Sequence, residues 1–512
     1  MTQEDKPRDA ATAQMVESIR NMIKDGQIDQ LLKVHWNSVI FEEEFDGTLD
    51  TLLDLVSREM NQSTRFSLIV KRIFGFIFQG PHEGHYPIER LSHVFDAIHD
   101  CLRSLVATSQ RTSDTIMRAL RSSFPYFNVP THRMCRFIEN YLRSTDYFLE
   151  PERTKVLKSV IDKLHFSDLK TNVRSKPFQE VFEMETPSDG NVAEEPLPDH
   201  IVKILIEFIN ERVFENGKYN PDHGWSMFEW IFPLFLELLM NSKQTNTSQY
   251  FIFYLIHLDA SFIDTFISRL WLYATDVENP AVNRSMAVYY ISSLLSRSSA
   301  VKFSQIWNFI HDSATWLNMY IEENDPDLDL PSSQLNGTLM TIVTKHQPFY
   351  AVFQAMMSVL ISSHQELTSE VLKMLRLLDI QKILNSNLNP LLICQTQLLE
   401  SFATISSSHL QIAACSMIIR GNQRTFPMSE ETFKEFHIWS PYDSIPGPLI
   451  AGFVSKFLHQ NLVMRKEFDQ TTRHRFPSES HSPNFVHGSG SFKPDTLLTH
   501  DDPLHVINSL DL

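Results

Sequence analysis

Seven arginines fall between Cys101 and Thr145 (Arg103, Arg111, Arg118, Arg121, Arg133, Arg136, Arg143), against two acids, Asp114 and Glu139. The chain as a whole carries a net charge of −17, so this is a basic island. Hydroxyl side chains run through it: Ser104, Thr108, Ser109, Thr112, Ser113, Ser122, Ser123 and Ser144. Guanidinium groups in this density suit the docking of a partner's acids, and arginine is enriched at protein interfaces. A phosphate added to a neighbouring serine would place negative charge within a Debye length of that partner, roughly 10 Å, and weaken the contact. The expected docking residues are Arg103, Ser104, Ser109, Arg111, Ser113, Arg118, Arg121, Ser122 and Ser144, with Ser109 and Ser113 also expected as phosphorylation sites. The competing interpretation is an ordinary polar outer face. Proline-directed sites add Thr186 (Thr186-Pro187) and Ser482 (Ser482-Pro483), with Ser478 and Ser480 beside the latter.

Other chemistry is thinly represented. His82-Glu83-Gly84-His85 spaces two imidazoles three residues apart, but in a Pro- and Gly-containing link with no further Cys or His nearby, which points to a solvated turn rather than zinc. His35-Trp36 reads as a packing pair. Cys101, Cys135, Cys394 and Cys415 never form a CxxC pair and read as reduced, mostly buried thiols. The sequence has no GxxxxGK[ST], GxGxxG, GxSxG, HExxH or DDxxD motif. The expectation is a non-enzymatic protein with no cofactor and no metal.

The elements that position the island are helices. Ile88, Leu91, Val94, Phe95, Ile98, Cys101, Leu102 and Leu105 follow steps of three and four and form one stripe. Similar spacing predicts helices near 11–25, 49–60, 65–79, 88–107, 112–122, 131–144 and 151–165. Further ones are predicted near 201–213, 225–241, 247–257, 261–274, 281–296, 302–321, 347–362, 367–385 and within 390–420. Asn279-Pro280 opens the helix at Ala281, where the missing proline N–H costs nothing. Strict period-two alternation is absent, so strands are at most minor. Helix pairs recurring every ~35–45 residues predict an all-α fold, an α-solenoid of degenerate HEAT-like repeats with acidic loops and a disordered C-terminal tail.

Composition agrees. Only 14 glycines occur in 512 residues, which argues against nucleotide-binding α/β folds and β-sandwiches. So acidic a chain does not bind duplex DNA through bulk counterion release, and any DNA contact is expected to be local and indirect. The start of the sequence is polar and acidic, unlike a secretory signal, and no apolar run nears the ~20 residues that span a bilayer, so a soluble intracellular protein away from membranes is expected. The expected organisation is a disordered start (1–10), N-terminal helical repeats (11–182), an acidic loop (183–200) and C-terminal helical repeats (201–425). A helical or irregular extension (426–465) and a disordered tail containing Ser, His and Pro (466–512) complete it.

From about residue 90 to 425 the order of unusual segments resembles the RNA polymerase I-specific transcription initiation factor family, also called transcription initiation factor IA. Gln347-Pro348-Phe349-Tyr350-Ala351-Val352-Phe353-Gln354-Ala355 is similar to the family's "PFY…CQA" signature, and Ser386-Asn387-Leu388-Asn389-Pro390-Leu391-Leu392-Ile393-Cys394 to its "SxLNPLxxC" signature. Ser248–Leu255, Phe262–Trp271, Asn279-Pro280-Ala281, Trp307–Tyr320 and Leu398–Ala403 follow in family order. Two places depart from it. A basic "LARAK"-like helix end becomes Leu295-Ser296-Arg297-Ser298-Ser299, and the aromatic-acidic segment Trp439–Pro446 lacks the basic stretch that usually follows.

The resemblance implies a HEAT-repeat protein that binds RNA polymerase I on its stalk side and bridges it to the promoter-bound selectivity or core factor. It further implies kinases as regulators, a nuclear and nucleolar setting, growth-linked phosphorylation, a serine-bearing polymerase-facing patch in the N-terminal repeats, and room for a homodimer when the factor is free. The alternative is a HEAT-type scaffold in nuclear transport or phosphatase assembly.

Overall fold

A computed structural model describes residues 5–59, 78–81, 87–125, 129–174, 195–324, 335–407, 414–425 and 430–459, with Leu68, Val70 and Lys71 and short internal gaps around 35–44 and at 244. Thr186, Ser478, Ser480, Ser482, the His82–His85 link and the tail 466–512 lie outside the described residues, as do His35, Tyr126 and Phe127. The chain divides into two compact units, Met1–Leu239 with Gln244–Leu255, and Met240–Lys243 with Ile256–Leu512.

In the first unit the helices are α1 (Asp5–Lys24), α2 (Ile28–Leu31), α3 (Asp46–Glu59), α4 (Ile88–Thr108), α5 (Gln110–Ser122), α6 (Thr131–Arg143), α7 (Glu152–Arg174), α8 (Leu197–Val213), α9 (Pro221–Leu239) and α10 (Tyr250–Ile256). The expected stripe of α4 buries Val94, Ile98, Leu102 and Leu105, whereas Ile88, in its first turn, is 78% exposed. α8 buries residues on nearly every side, Ile201, Val202, Leu205, Ile206, Phe208 and Ile209 among them, because it packs against α6, α7 and α9 at once.

Two expectations shift here. α1 starts at Asp5, inside the segment read as lacking structure, and α8 starts at Leu197, inside the expected acidic loop. Pro198 at a first-turn position explains the second, since its ring pre-sets a helical φ. α7 and α8 pack together and fall in the same unit. A two-residue hairpin, Phe214–Glu215 paired with Lys218–Tyr219, links α8 to α9. Asn216 and Gly217 turn it with φ of 51° and 75°, the left-handed pair that a type I′ turn requires.

The second unit holds α11 (Ala260–Thr275), α12 (Ala281–Arg297), α13 (Phe303–Asn324), α14 (Leu335–Lys345), α15 (Gln347–Ser362), α16 (Ser369–Leu377), α17 (Ile380–Leu384), α18 (Thr396–Ile405), α19 (Ala414–Thr425) and α20 (Pro448–Val454). α12 and α15 form its centre and are buried almost throughout. Pro280 stands at the N-cap of α12 as the sequence predicts, and Arg284 Nε donates to Ala274 O at 2.7 Å, tying α12 back to α11. The helix expected over 367–385 is two helices. Asp379 adopts φ 50°, and Asn318 Nδ2 donates to Leu378 O at 3.0 Å, satisfying a carbonyl at the break. Residues 430–459 form a strap over α12 and α15: Gln354 Nε2 donates to Phe436 O at 2.9 Å, Gln354 Oε1 accepts from Ile438 N at 3.2 Å, and Tyr442 N donates to Ser293 Oγ at 3.0 Å.

Among the described residues the only other β-pairing is an isolated bridge between Ser298 and Leu458, and the fold is all-α and solenoid-like. Among them no helix is long and apolar enough to cross a membrane, and no group of three His, Cys, Asp or Glu is placed to hold a metal ion.

Candidate functional site: a basic helical face

One residue separates α4 from α5. Ser109, with φ −164° and ψ 156°, ends the first and caps the second, its Oγ accepting from Thr112 N at 3.2 Å and lying 2.9 Å from Thr112 Oγ1. From that start α5 turns Ser113, Ile116, Met117 and Leu120 inward, the i, i+3, i+4, i+7 set. Arg111, Arg118, Arg121 and Ser122 are left on the exposed side. Arg118 Nε donates to Asp114 O at 3.3 Å, and Ser122 Oγ to Ala119 O at 2.9 Å. Among the described residues, none of the three exposed arginines makes an ion pair.

The remaining arginines of the island are committed within the fold. Arg103 pairs with Asp100 at 2.5 Å and lies 5.9 Å over the Tyr147 ring. Arg143 pairs with Asp96 at 2.6 Å. Arg133 is buried and donates to Gln79 Oε1 at 2.9 Å; burial and the neighbouring Arg136 hold its pKa below the usual arginine value. Arg136 lies against Gly80, where a Cβ would meet its Cδ at 2.8 Å.

The serines divide the same way. Ser104 and Ser109 are exposed, with Ser104 Oγ donating to Asp100 O at 3.0 Å. Two of the expected site residues are corrected: Ser113 is 5% exposed, on the face that packs inward, and Ser144 is fully buried, its Oγ donating to Tyr141 O at 2.6 Å in the turn after α6. Neither side chain is open to a partner or a kinase. The surviving surface is Ser104, Ser109, Arg111, Arg118, Arg121 and Ser122, with Arg103 on its α4 side.

Beneath this surface lies a polar link that the sequence did not reveal. His99 is buried, stacks on Phe78 at 5.1 Å, and places its ring nitrogens 3.2 Å from Tyr147 Oη and 3.1 Å from Asn140 Oδ1. Burial, reinforced by Arg143, pushes its pKa down to about 4, so it is neutral near pH 7. Burial also pushes the Cys101 thiol up to about 11, which makes it a poor nucleophile. The arrangement offers outward guanidinium groups on the exposed face of α5.

A family model described as "RNA polymerase I specific transcription initiation factor RRN3" matches residues 10–197 and 183–445. The chain is 25% identical over 370 residues to the RNA polymerase I-specific transcription initiation factor RRN3 of Mus musculus, covering 66% of this chain and 55% of the relative. It is 24% identical over 226 residues to the factor of the same name from Saccharomyces cerevisiae, covering 44% of this chain and 34% of the relative. The aligned part therefore spans about half of the mouse relative's length and about a third of the yeast relative's. The fold is similar to that in a crystal structure of RNA polymerase I transcription initiation factor Rrn3, with a TM-score of 0.58 at 18% identity, covering 88% of this chain and 98% of that chain.

Proposed function

Because the chain belongs to the family of RNA polymerase I-specific transcription initiation factors, we propose that it binds RNA polymerase I through the basic α4–α5 face and bridges it to the promoter-bound selectivity or core factor. The observation that carries the docking assignment is the set of three exposed arginines on α5 without an internal carboxylate, in a chain of net −17. Like charges over the rest of the surface would repel an acidic partner, so a local cationic face fixes where such a partner docks. The work is positioning, with no catalytic step, in the nucleus and its nucleolus. Kinases regulate it in this proposal by adding charge at the exposed Ser104, Ser109 or Ser122, beside those arginines.

Purified RNA polymerase I captured on the immobilised chain tests the docking assignment. The combined variant Arg111→Glu, Arg118→Glu, Arg121→Glu is expected to lower capture by about tenfold or more, with helical circular dichroism unchanged. Undiminished capture would show that the polymerase docks elsewhere.

A further inference from the structure

Two arginine–aromatic stacks meet in the first unit, and they differ in one group. Arg212 lies 3.7 Å over the Phe208 ring, and its Nη2 is 2.6 Å from Asp146 Oδ1 and donates to Thr145 Oγ1 at 3.0 Å. Phe208 in turn contacts Trp230, with ring centroids 6.0 Å apart. Arg153 lies 4.1 Å over Trp230, whose Nε1 donates to Thr154 Oγ1 at 2.8 Å and so fixes the indole. The ladder runs Asp146, Arg212, Phe208, Trp230, Arg153. A carboxylate ends it on one side only. Among the described residues Arg153 makes no ion pair, and its Nε has no hydrogen-bond acceptor.

None of the carboxylates close to Arg153 in sequence pairs with it. Glu150 Oε2 accepts from Thr154 N at 3.3 Å, Glu152 Oε1 pairs with Lys155 at 3.1 Å while its Oε2 is buried without a partner, and Asp146 serves Arg212. One turn from Arg153 stands Leu149, whose carbonyl accepts from Arg153 N at 3.0 Å and which is 74% exposed. A half-buried Trp under an uncompensated Arg thus lies one helical turn from a protruding Leu.

We propose that Leu149, Arg153 and Trp230 form a docking site for an acidic peptide segment of a partner protein, which brings a carboxylate to Arg153 and an apolar side chain to Leu149. The Arg212 end shows what a completed stack looks like in this fold, and the group absent at the Arg153 end is a carboxylate. A guanidinium already laid on an indole has given up most of its side-chain freedom, so capturing a carboxylate costs little further ordering. Its Nη groups form the fork that a carboxylate meets with two parallel hydrogen bonds. Trp and Arg packed together are also the residue types that dominate interface energetics. A polynucleotide fits less well, since its affinity comes from neutralising many phosphates and a single cation neutralises one.

The test uses the full chain and a short fluorescein-labelled peptide of alternating Leu and Glu, read by fluorescence anisotropy beside its Leu–Gln counterpart. Tighter binding of the acidic peptide is expected, weakened about tenfold by Arg153→Ala, which corresponds to losing one good charge-assisted contact. Arg153→Lys, which keeps an aliphatic stem and the charge, is expected to bind almost as weakly because an ammonium lacks the planar fork. Leu149→Ser is expected to weaken binding several-fold. The combined Arg111, Arg118 and Arg121 variant is expected to bind like the parent, which separates this site from the proposed polymerase face. Equal affinity for the acidic and amide peptides, full affinity in Arg153→Lys, or loss of binding only in the α5 variant would each overturn the proposal. So would a labelled single-stranded oligonucleotide that binds more tightly than the peptide and loses affinity with Arg153→Ala.

Discussion

The first unit contains two clusters of charge with opposite fates. At the connection before α10, Asp168 is 2% exposed and accepts from the backbone N–H of Asn246, Thr247 and Ser248 at 3.1, 2.9 and 2.8 Å, and from Ser248 Oγ at 2.7 Å. Asp199 stands beside it and accepts from Thr247 Oγ1 at 3.2 Å. Asp168 Oδ2 is thus spent entirely inside the fold. On α5 the reverse holds, with Arg111, Arg118 and Arg121 turned to solvent and unpaired among the described residues. Charge that closes on itself sets shape, whereas charge left open is available to a partner.

The largest effect expected from breaking this contrast comes from Asp168→Ala. It leaves the buried Ser248 N–H and hydroxyl and the part-buried N–H groups of Asn246 and Thr247 without their acceptor, and should lower stability by about 3 kcal/mol or more, read by chemical denaturation. Asp168→Asn retains one oxygen acceptor and should recover part of that loss. A change within about 0.5 kcal/mol for Asp168→Ala would mean the connection is held by its packing alone.

Next comes a pair of serines within α5 and its cap. Ser113→Asp puts a charge on the inward face and should destabilise the fold by about 2 kcal/mol. Ser109→Asp keeps a capping acceptor and should shift stability by less than about 0.5 kcal/mol, while lowering polymerase capture a few-fold. Equal stability losses in the two variants would erase the distinction between inward and outward hydroxyls on this helix.

The smallest effect is a pH dependence. Burial, with Glu195 and Asp168 nearby, raises Asp199 to about 6, against the Thr247 hydrogen bond that lowers it. A carboxyl whose folded pKa is raised binds its proton more tightly when folded. Its contribution is therefore fully present below the ordinary carboxylate value near 4 and is lost as pH rises through about 6. Thermal melts should show the parent losing stability across that window relative to Asp199→Asn, and parallel curves would remove the titration from Asp199.

Helix content was legible because period-3.6 burial is a local signal. The α4 stripe from Val94 to Leu105 and the Pro280 N-cap both occur where residue type alone places them. Helix phase was harder to read. The spacing suggested a start near Thr112, and the actual start at Gln110, fixed by the Ser109 cap, decides that Ser113 faces inward while Arg111 and Arg118 face out. The island's location was visible in composition, but its division was not. Arg103 pairs with Asp100 one turn away on its own helix, just outside the island, whereas Arg143 finds Asp96 on α4 and Arg133 finds Gln79, partners that depend on packing. Asp168 and its turn lie about eighty residues apart in sequence, and no periodicity links them. Asp379 looks like an ordinary helical residue until the Asn318 contact at Leu378 is seen. The family signatures were readable because they are contiguous strings, and two of them, around Phe349 and Leu388, meet in space where Tyr350 Oη donates to Leu388 O at 2.8 Å.

Gln354 shows what a single primary amide can do for a whole segment. By donating to Phe436 O and accepting from Ile438 N, it stands in for the neighbouring strand that residues 436–438 lack. A carboxylate at this position would keep the acceptor and lose the donor, and an asparagine would fall one methylene short. The pairing also locks the alternation of the segment, so that slipping it by one residue would exchange Trp439, now edge-on to Tyr290 at 5.8 Å, for a neighbour of the wrong shape. Gln354, with Ser293 on the neighbouring helix, therefore sets the reading frame in which the strap lies down.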